Sequence, residues 1–132
     1  MGSTKAVKSV DTNILVRIIA EGESAQALIA RTVIAAGVYV PLTVLLELCW
    51  TLRSRYDFDR IQLNAAVIGL LDSLEIHVDD EPAIRAALDL HAKGADIADV
   101  LHLVAAKGTE AFVTFDKGVP NATDMGVEVE QV

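Results

Sequence analysis

The run Asp96-Ile97-Ala98-Asp99-Val100-Leu101-His102-Leu103-Val104-Ala105-Ala106 puts two carboxylates at the start of a helix that is apolar over most of its surface. Asp96 has a ready structural explanation, because an aspartate just before an apolar helix accepts hydrogen bonds from free backbone N–H groups. Asp99 is harder to place. Ile97, Val100, Leu101 and Val104 form the i, i+3, i+4, i+7 stripe expected to face a sheet, and Asp99 points away from it, with His102, Leu103 and Ala106 nearby. A lone carboxylate in a first turn gains ~0.3–1 kcal/mol from the helix N-terminus and needs no further reason to be there.

The positions of other acids supply a further reason. Asp11 directly follows the β-rich run Ala6–Val10, and Asp116 directly follows Ala111–Phe115. Both stand at carboxyl ends of expected strands, the edge where open parallel sheets bind their ligands. The helix opened by Asp96 must finish at the opposite edge to feed the strand ending at Asp116 through Gly108-Thr109-Glu110, so Asp99 starts at the ligand edge. Glu47 lies in the first turns of the helix after Val38–Val40 and Pro41, opposite the apolar stripe Leu45, Leu48, Cys49 and Leu52. Unit charges 4 Å apart repel by roughly 4 kcal/mol at an effective dielectric near 20, so four converging acids call for a cation or for raised pKa values. Oxygen-only donors suit Mg²⁺ or Mn²⁺, and such an ion activates water against a phosphodiester while stabilising the leaving oxygen. A scatter of helix-capping acids uses the same residue types, and spacing alone leaves both readings open.

The elements that must carry these acids alternate short β-rich runs with longer helical patterns, which favours an α/β fold with a mostly parallel sheet. After the strand Ala6–Val10, helices are expected over Thr12–Ala20 and over Ser24–Ala36, the second with Ser24 as N-cap and Gly37 as stop. Val38–Val40 is a second strand. Thr43 is the expected cap of a helix reaching Arg55, Asp57 or Asp59 opens one reaching Leu71, and Leu74–Val78 is a third strand. The pair Asp79-Asp80 with Pro82 opens a helix closed near Gly94, Gly108 closes the helix of Asp99, and Val127–Val132 follows as an edge strand.

With 132 residues, 52% of them hydrophobic and only 5% aromatic, the chain suits one domain over residues 1–132 with an aliphatic core. A net charge of −8 argues against nucleic-acid binding by bulk electrostatics, though a local basic strip can still act. The single cysteine, Cys49, excludes an internal disulfide and fits a reducing compartment. No apolar run resembles a signal peptide or a membrane span, so a soluble cytoplasmic protein is expected, and Met1-Gly2-Ser3 is set aside as a cloning remnant.

In order and spacing, "VDTNILVRII", "LTVLLELCWTL", "DIADVLHLVAA" and "FVTFD" resemble the motifs of PIN-domain nucleases, especially VapC-type toxins of bacterial toxin–antitoxin pairs. The resemblance spans Val10 to Asp116. It implies a Rossmann-like parallel sheet flanked by helices, a Mg²⁺- or Mn²⁺-dependent endoribonuclease, frequent homodimers, and inhibition by a cognate VapB-type antitoxin. By the same resemblance Asp11, Glu47, Asp99 and Asp116 occupy acidic metal-site positions, with Asn13 and Thr114 as supporting polar residues beside Asp96. Val119 departs from the pattern, standing where relatives often carry an aromatic, which bears on local RNA or dimer contacts.

Arg53, Arg55 and Arg60, with Tyr56 and Phe58 between them, could hold RNA backbone and stack bases, or form a solvated helix end. Lys117 could meet a phosphate, ordinary loop exposure being the simpler reading. Trp50 shares the helix face of Glu47 and is expected to pack partly buried. Cys49 is expected in the core. No role is assigned to His77, His91 or His102. An amphipathic antitoxin helix would find its groove at the first helix pair, by Ile18, Ile19, Leu28 and Ile29. Two other functions remain in view: a Mg²⁺-binding phosphoacceptor receiver with Asp79 as acceptor, and a catalytically silent PIN-like binding module.

Overall fold

The computed structural model describes residues 7–132, so Met1-Gly2-Ser3 and the Ala6 start of the first expected strand lie outside it. Contacts cluster into two compact units that divide between Asp79 and Asp80.

In the first unit, strand β1 (Lys8–Ser9) leads into helices α1 (Thr12–Glu21) and α2 (Ala25–Ala35), then β2 (Val38–Tyr39), α3 (Leu42–Arg55), α4 (Arg60–Leu71) and β3 (Ile76–His77). The strands run parallel in the order β1-β2-β3, with Lys8 opposite Val38 and Val38 opposite Ile76. Parallel pairing needs long crossover connections, and the helix pairs between the strands supply them. The ladder is shorter than the apolar runs, although Val10 and Val40 still donate to Tyr39 O and His77 O at 3.2 and 2.9 Å. Ser24 caps α2 by accepting from Ala27 N at 3.1 Å, and Gly37, at φ +86°, makes the left-handed turn into β2.

Thr43 does not cap α3. The N-cap position belongs to Pro41, at φ −63° and ψ 152°, whose carbonyl takes the amides of Val44 and Leu45, each at 3.0 Å. Proline's restricted φ already suits the entry, so the chain turns helical before Thr43. Of the two candidate caps for α4, Asp59 takes the role in a capping box with Gln62, at 2.8 and 2.9 Å. Asp57 instead sits at φ +56° in the turn before it. Within this unit α1 packs on α2 and α3, and α3 on α4, around Leu15, Leu45, Leu48, Leu52 and Leu63, all essentially without exposure.

The second unit holds α5 (Glu81–Ala92), α6 (Ile97–Ala106), β4 (Phe112–Thr114) and β5 (Val129–Gln131). Asp80 caps α5 from left-handed backbone at φ +54°, accepting from Ala83 N at 3.3 Å. Its carboxylate also meets Lys107 Nζ at 2.9 Å, which holds it below the usual carboxylate range. β4 and β5 pair in parallel, Phe112 opposite Val129. Every described ladder is therefore parallel and the α/β class holds, but pairing runs in one three-stranded and one two-stranded piece.

Between β4 and β5 a 3-10 turn, Thr123–Met125, tucks Met125 into the core of this unit with Val119 and Ala122. No sequence signal announced it. Val119, which stands where relatives often carry an aromatic, is only 6% exposed and is a core side chain of this unit. Leu103, expected on the Asp99 face, is fully buried too, which gives α6 a wider apolar face than the four-residue stripe. No helix among the described residues is long and apolar enough to cross a membrane.

Candidate functional site

Asp11 stands at the carboxyl end of β1 and caps α1, its Oδ1 accepting from Ile14 N at 3.4 Å with the side chain exposed. The next residue, Thr12, is buried, and its hydroxyl donates to Oε1 of Glu47 on α3. That hydrogen bond ties the residue next to the first acid to the carboxylate of the second. Thr12 was not singled out from sequence. Its neighbour Asn13, the expected supporting residue, is exposed and lines a cleft of about 300 Å³ with Ile14, Arg17 and Gln26. The available signal was a hydroxyl adjacent to Asp11 at the start of a helix, but its partner lies on another element.

Glu47 itself is exposed, opposite Leu45, Leu48, Cys49 and Leu52, which are buried as expected. Burial pushes the Cys49 thiol up to about 12, so it is a core side chain and no nucleophile. Trp50 departs from expectation. It is 62% exposed on the face of α3 that carries Glu47. Arg53 and Arg55 occupy the exposed last turn of the same helix, where cations suit the helix dipole, and Arg60 opens α4, also exposed. Tyr56 donates its hydroxyl to Glu21 at 3.2 Å, and Arg17 holds that glutamate at 2.6 Å.

In the second unit the two aspartates of α6 separate cleanly. Asp96 is the cap, its Oδ2 accepting from Asp99 N at 3.2 Å. The Asp99 carboxyl is held above the usual carboxylate range, first by desolvation and then by the negative charges of Asp96 and Asp116, with His102 partly offsetting them. Asp116 therefore lies within electrostatic reach of Asp99. Its own position is set by a turn: its amide donates to Thr114 Oγ1 at 2.9 Å, and its Oδ1 accepts from Gly118 N at 2.7 Å. Thr114 thus supports Asp116 through the backbone, and Lys117 beside it is exposed.

Two of the four expected acids lie in each unit. Among the described residues no group of three or more histidines, cysteines, aspartates or glutamates is placed to hold a metal ion. Mg²⁺ asks for less than such a group, since it is bound through one or two carboxylates and keeps several waters. Oxygen-only donors are the kind a hard cation takes, and desolvation together with the charges of Asp96 and Asp116 holds the Asp99 carboxyl above the usual range. Asp79, the acceptor imagined for a receiver, accepts the Tyr39 hydroxyl at 2.6 Å, which raises the tyrosine pKa.

A family model described as the PIN domain matches residues 8–124, from β1 into the 3-10 turn, and takes in all four acids. Comparison with curated proteins and with solved structures gives no match.

Proposed function

The chain belongs to the PIN domain family, and from that premise we propose that it is a metal-dependent endoribonuclease, the toxin of a VapC-type toxin–antitoxin pair. Asp11, Glu47, Asp99 and Asp116 are its metal-binding and catalytic carboxylates, with Mg²⁺ or Mn²⁺ as the ion. When bound, the ion supplies an activated water and charge relief for the leaving oxygen of an RNA phosphodiester. Thr12 and Thr114 hold Glu47 and Asp116 in place, Asp96 caps the helix of Asp99, and Asn13 lies beside the first acid. The observation that carries this reading is the PIN family match over residues 8–124, which takes in Asp11, Glu47, Asp99 and Asp116; the raised Asp99 carboxyl beside the charges of Asp96 and Asp116 accords with it.

The family match runs through both compact units, which supports reading residues 1–132 as one PIN domain. Arg53, Arg55, Arg60 and Lys117 are the cations proposed to meet RNA phosphates. A cytoplasmic location, a homodimer and restraint by a VapB-type antitoxin complete the proposal. A cleft of about 440 Å³ in the first unit, walled by Ile18, Ile19, Ile34 and Leu70, offers an apolar seat for an antitoxin helix. It shares Ile18 and Ile19 with the groove expected from sequence. Leu28 is exposed on α2 outside that lining, and Ile29 lines the smaller cleft beside Asn13. The receiver reading loses ground because Asp79 is engaged by Tyr39, and the silent module has no residue in its favour while all four acids are present.

Purified protein should cleave single-stranded RNA with Mg²⁺ or Mn²⁺ and stop when EDTA is added. A preparation of Asp99→Asn, purified identically, controls for contaminating ribonuclease. Undiminished cleavage by the wild type in EDTA, with the control silent, overturns the metal-dependent reading.

A further inference from the structure

Tryptophan offers more apolar surface than any other side chain, and in this chain it occurs once, at a position 62% open to water. The exposure is not forced by lack of a core, because α3 buries a complete stripe of Leu45, Leu48, Cys49 and Leu52 on its other side. Trp50 lies three residues after Glu47, so the two side chains are neighbours on one helix face. Along that face Thr43, Arg53 and Ser54 are exposed and polar, and Leu46, one turn before Trp50, is half-buried. A partner helix is seated by exposed apolar anchors at i, i+3, i+4 and i+7, and this face of α3 presents Trp50 as its one exposed apolar side chain. The following turn carries Arg53 and Arg55. An isolated indole plane with guanidinium groups close behind it is the arrangement that holds single strands, bases on the ring and phosphates on the cations.

We propose that the Trp50 indole is a stacking platform for an unpaired RNA base, set one turn from Glu47, so that the strand is delivered to the carboxylates with that base splayed out. This rests on the nuclease reading above. It adds a selectivity, because bases already stacked and paired in a duplex cannot lie on the ring.

Because Trp50 is the only tryptophan, its fluorescence reports this position and no other. In EDTA, which prevents metal-dependent cleavage, the wild type is titrated with a short single-stranded oligoribonucleotide and with the same sequence annealed to its complement. The single strand should quench the emission and the duplex should not. Trp50→Ala should weaken binding of the labelled single strand by about 5- to 150-fold, and Trp50→Phe should recover part of the loss. Unquenched emission together with equal affinity of the alanine variant overturns the platform. An emission shift on dilution without RNA also overturns it, by assigning the indole to a contact between copies of the chain. The two readings separate in the same tubes once Mn²⁺ replaces EDTA. Cleavage without quenching keeps the nuclease and removes the platform, whereas quenching with a defective alanine variant but no cleavage does the reverse.

Discussion

Asp96 and Asp99 are three residues apart on one helix, yet their local chemistry pulls them toward opposite effects on stability. Asp96 spends its carboxylate on a backbone amide, so Asp96→Ala should cost about 0.5–2 kcal/mol, as the loss of a cap does. Asp99 caps nothing, and its pKa is raised by desolvation and by two acidic neighbours. A carboxyl with a raised folded pKa binds its proton more readily in the native state, so its ionisation removes stability as pH climbs from the ordinary carboxylate value through the raised one. Asp99→Asn should therefore melt at a higher temperature than the wild type at neutral pH in EDTA, and the two should converge at acidic pH. Cleavage should fall in the same variant by more than about tenfold, because even outer-shell partners of a metal cost that much. Thermal melts across pH, paired with RNA cleavage in Mn²⁺, check both halves. A lower melting temperature for Asp99→Asn at neutral pH would return Asp99 to a helix-dipole role.

Among the elements, the start of α5 concentrates more on one side chain than any other helix end. Asp80 adopts left-handed backbone, accepts from the Ala83 amide and pairs with Lys107 at the far end of α6. Alanine would lose the cap and the ion pair while still bearing the steric penalty of positive φ. Glycine would lose the same partners without that penalty, and it is a tolerable N-cap. Asp80→Ala should thus destabilise by about 1–3 kcal/mol, and Asp80→Gly by distinctly less, in urea unfolding at neutral pH. Because the folded pKa of Asp80 is lowered, its contribution is full above the ordinary carboxylate range and is lost as pH falls through the lowered value. The gap between wild type and Asp80→Ala should narrow accordingly in acid. If alanine and glycine proved equally costly, the positive φ would carry no penalty.

At the scale of the molecule, the proposed RNA binding cannot rely on the overall field of a chain of net charge −8. Its candidate contacts are four cations, Arg53, Arg55, Arg60 and Lys117. Each phosphate contact on a single strand contributes ~0.7 to the salt slope, so log affinity against log salt should fall with a slope no steeper than about −3. Fluorescence titrations over a range of NaCl concentrations measure it directly. A much steeper slope would mean that a basic surface other than these four residues carries the RNA. The base stacking proposed for Trp50 is nearly independent of salt by comparison, and it suits an acidic chain better than a broad cationic groove.

The sequence by itself determined what is decided within a few residues of chain. Ser24 and Asp96 were legible as helix starts, and Asp59 and Asp80 each as one of two candidate aspartates, because each cap closes on an amide three positions away. The helical periods marked the buried faces of α3 and most of α6, and the β-rich runs separated by helices implied parallel pairing. The resemblance of four motifs, in order and spacing, suggested the family that the PIN match then showed. Tertiary structure decided what depends on distant partners. Thr12 finds Glu47 across 35 positions and Tyr39 finds Asp79 across 40, distances at which no local pattern couples the two. The burial of Leu103 and Val119 and the exposure of Trp50 have the same origin. Whether an apolar side chain is covered depends on the elements that pack over it, and residue type and helical phase give only its direction.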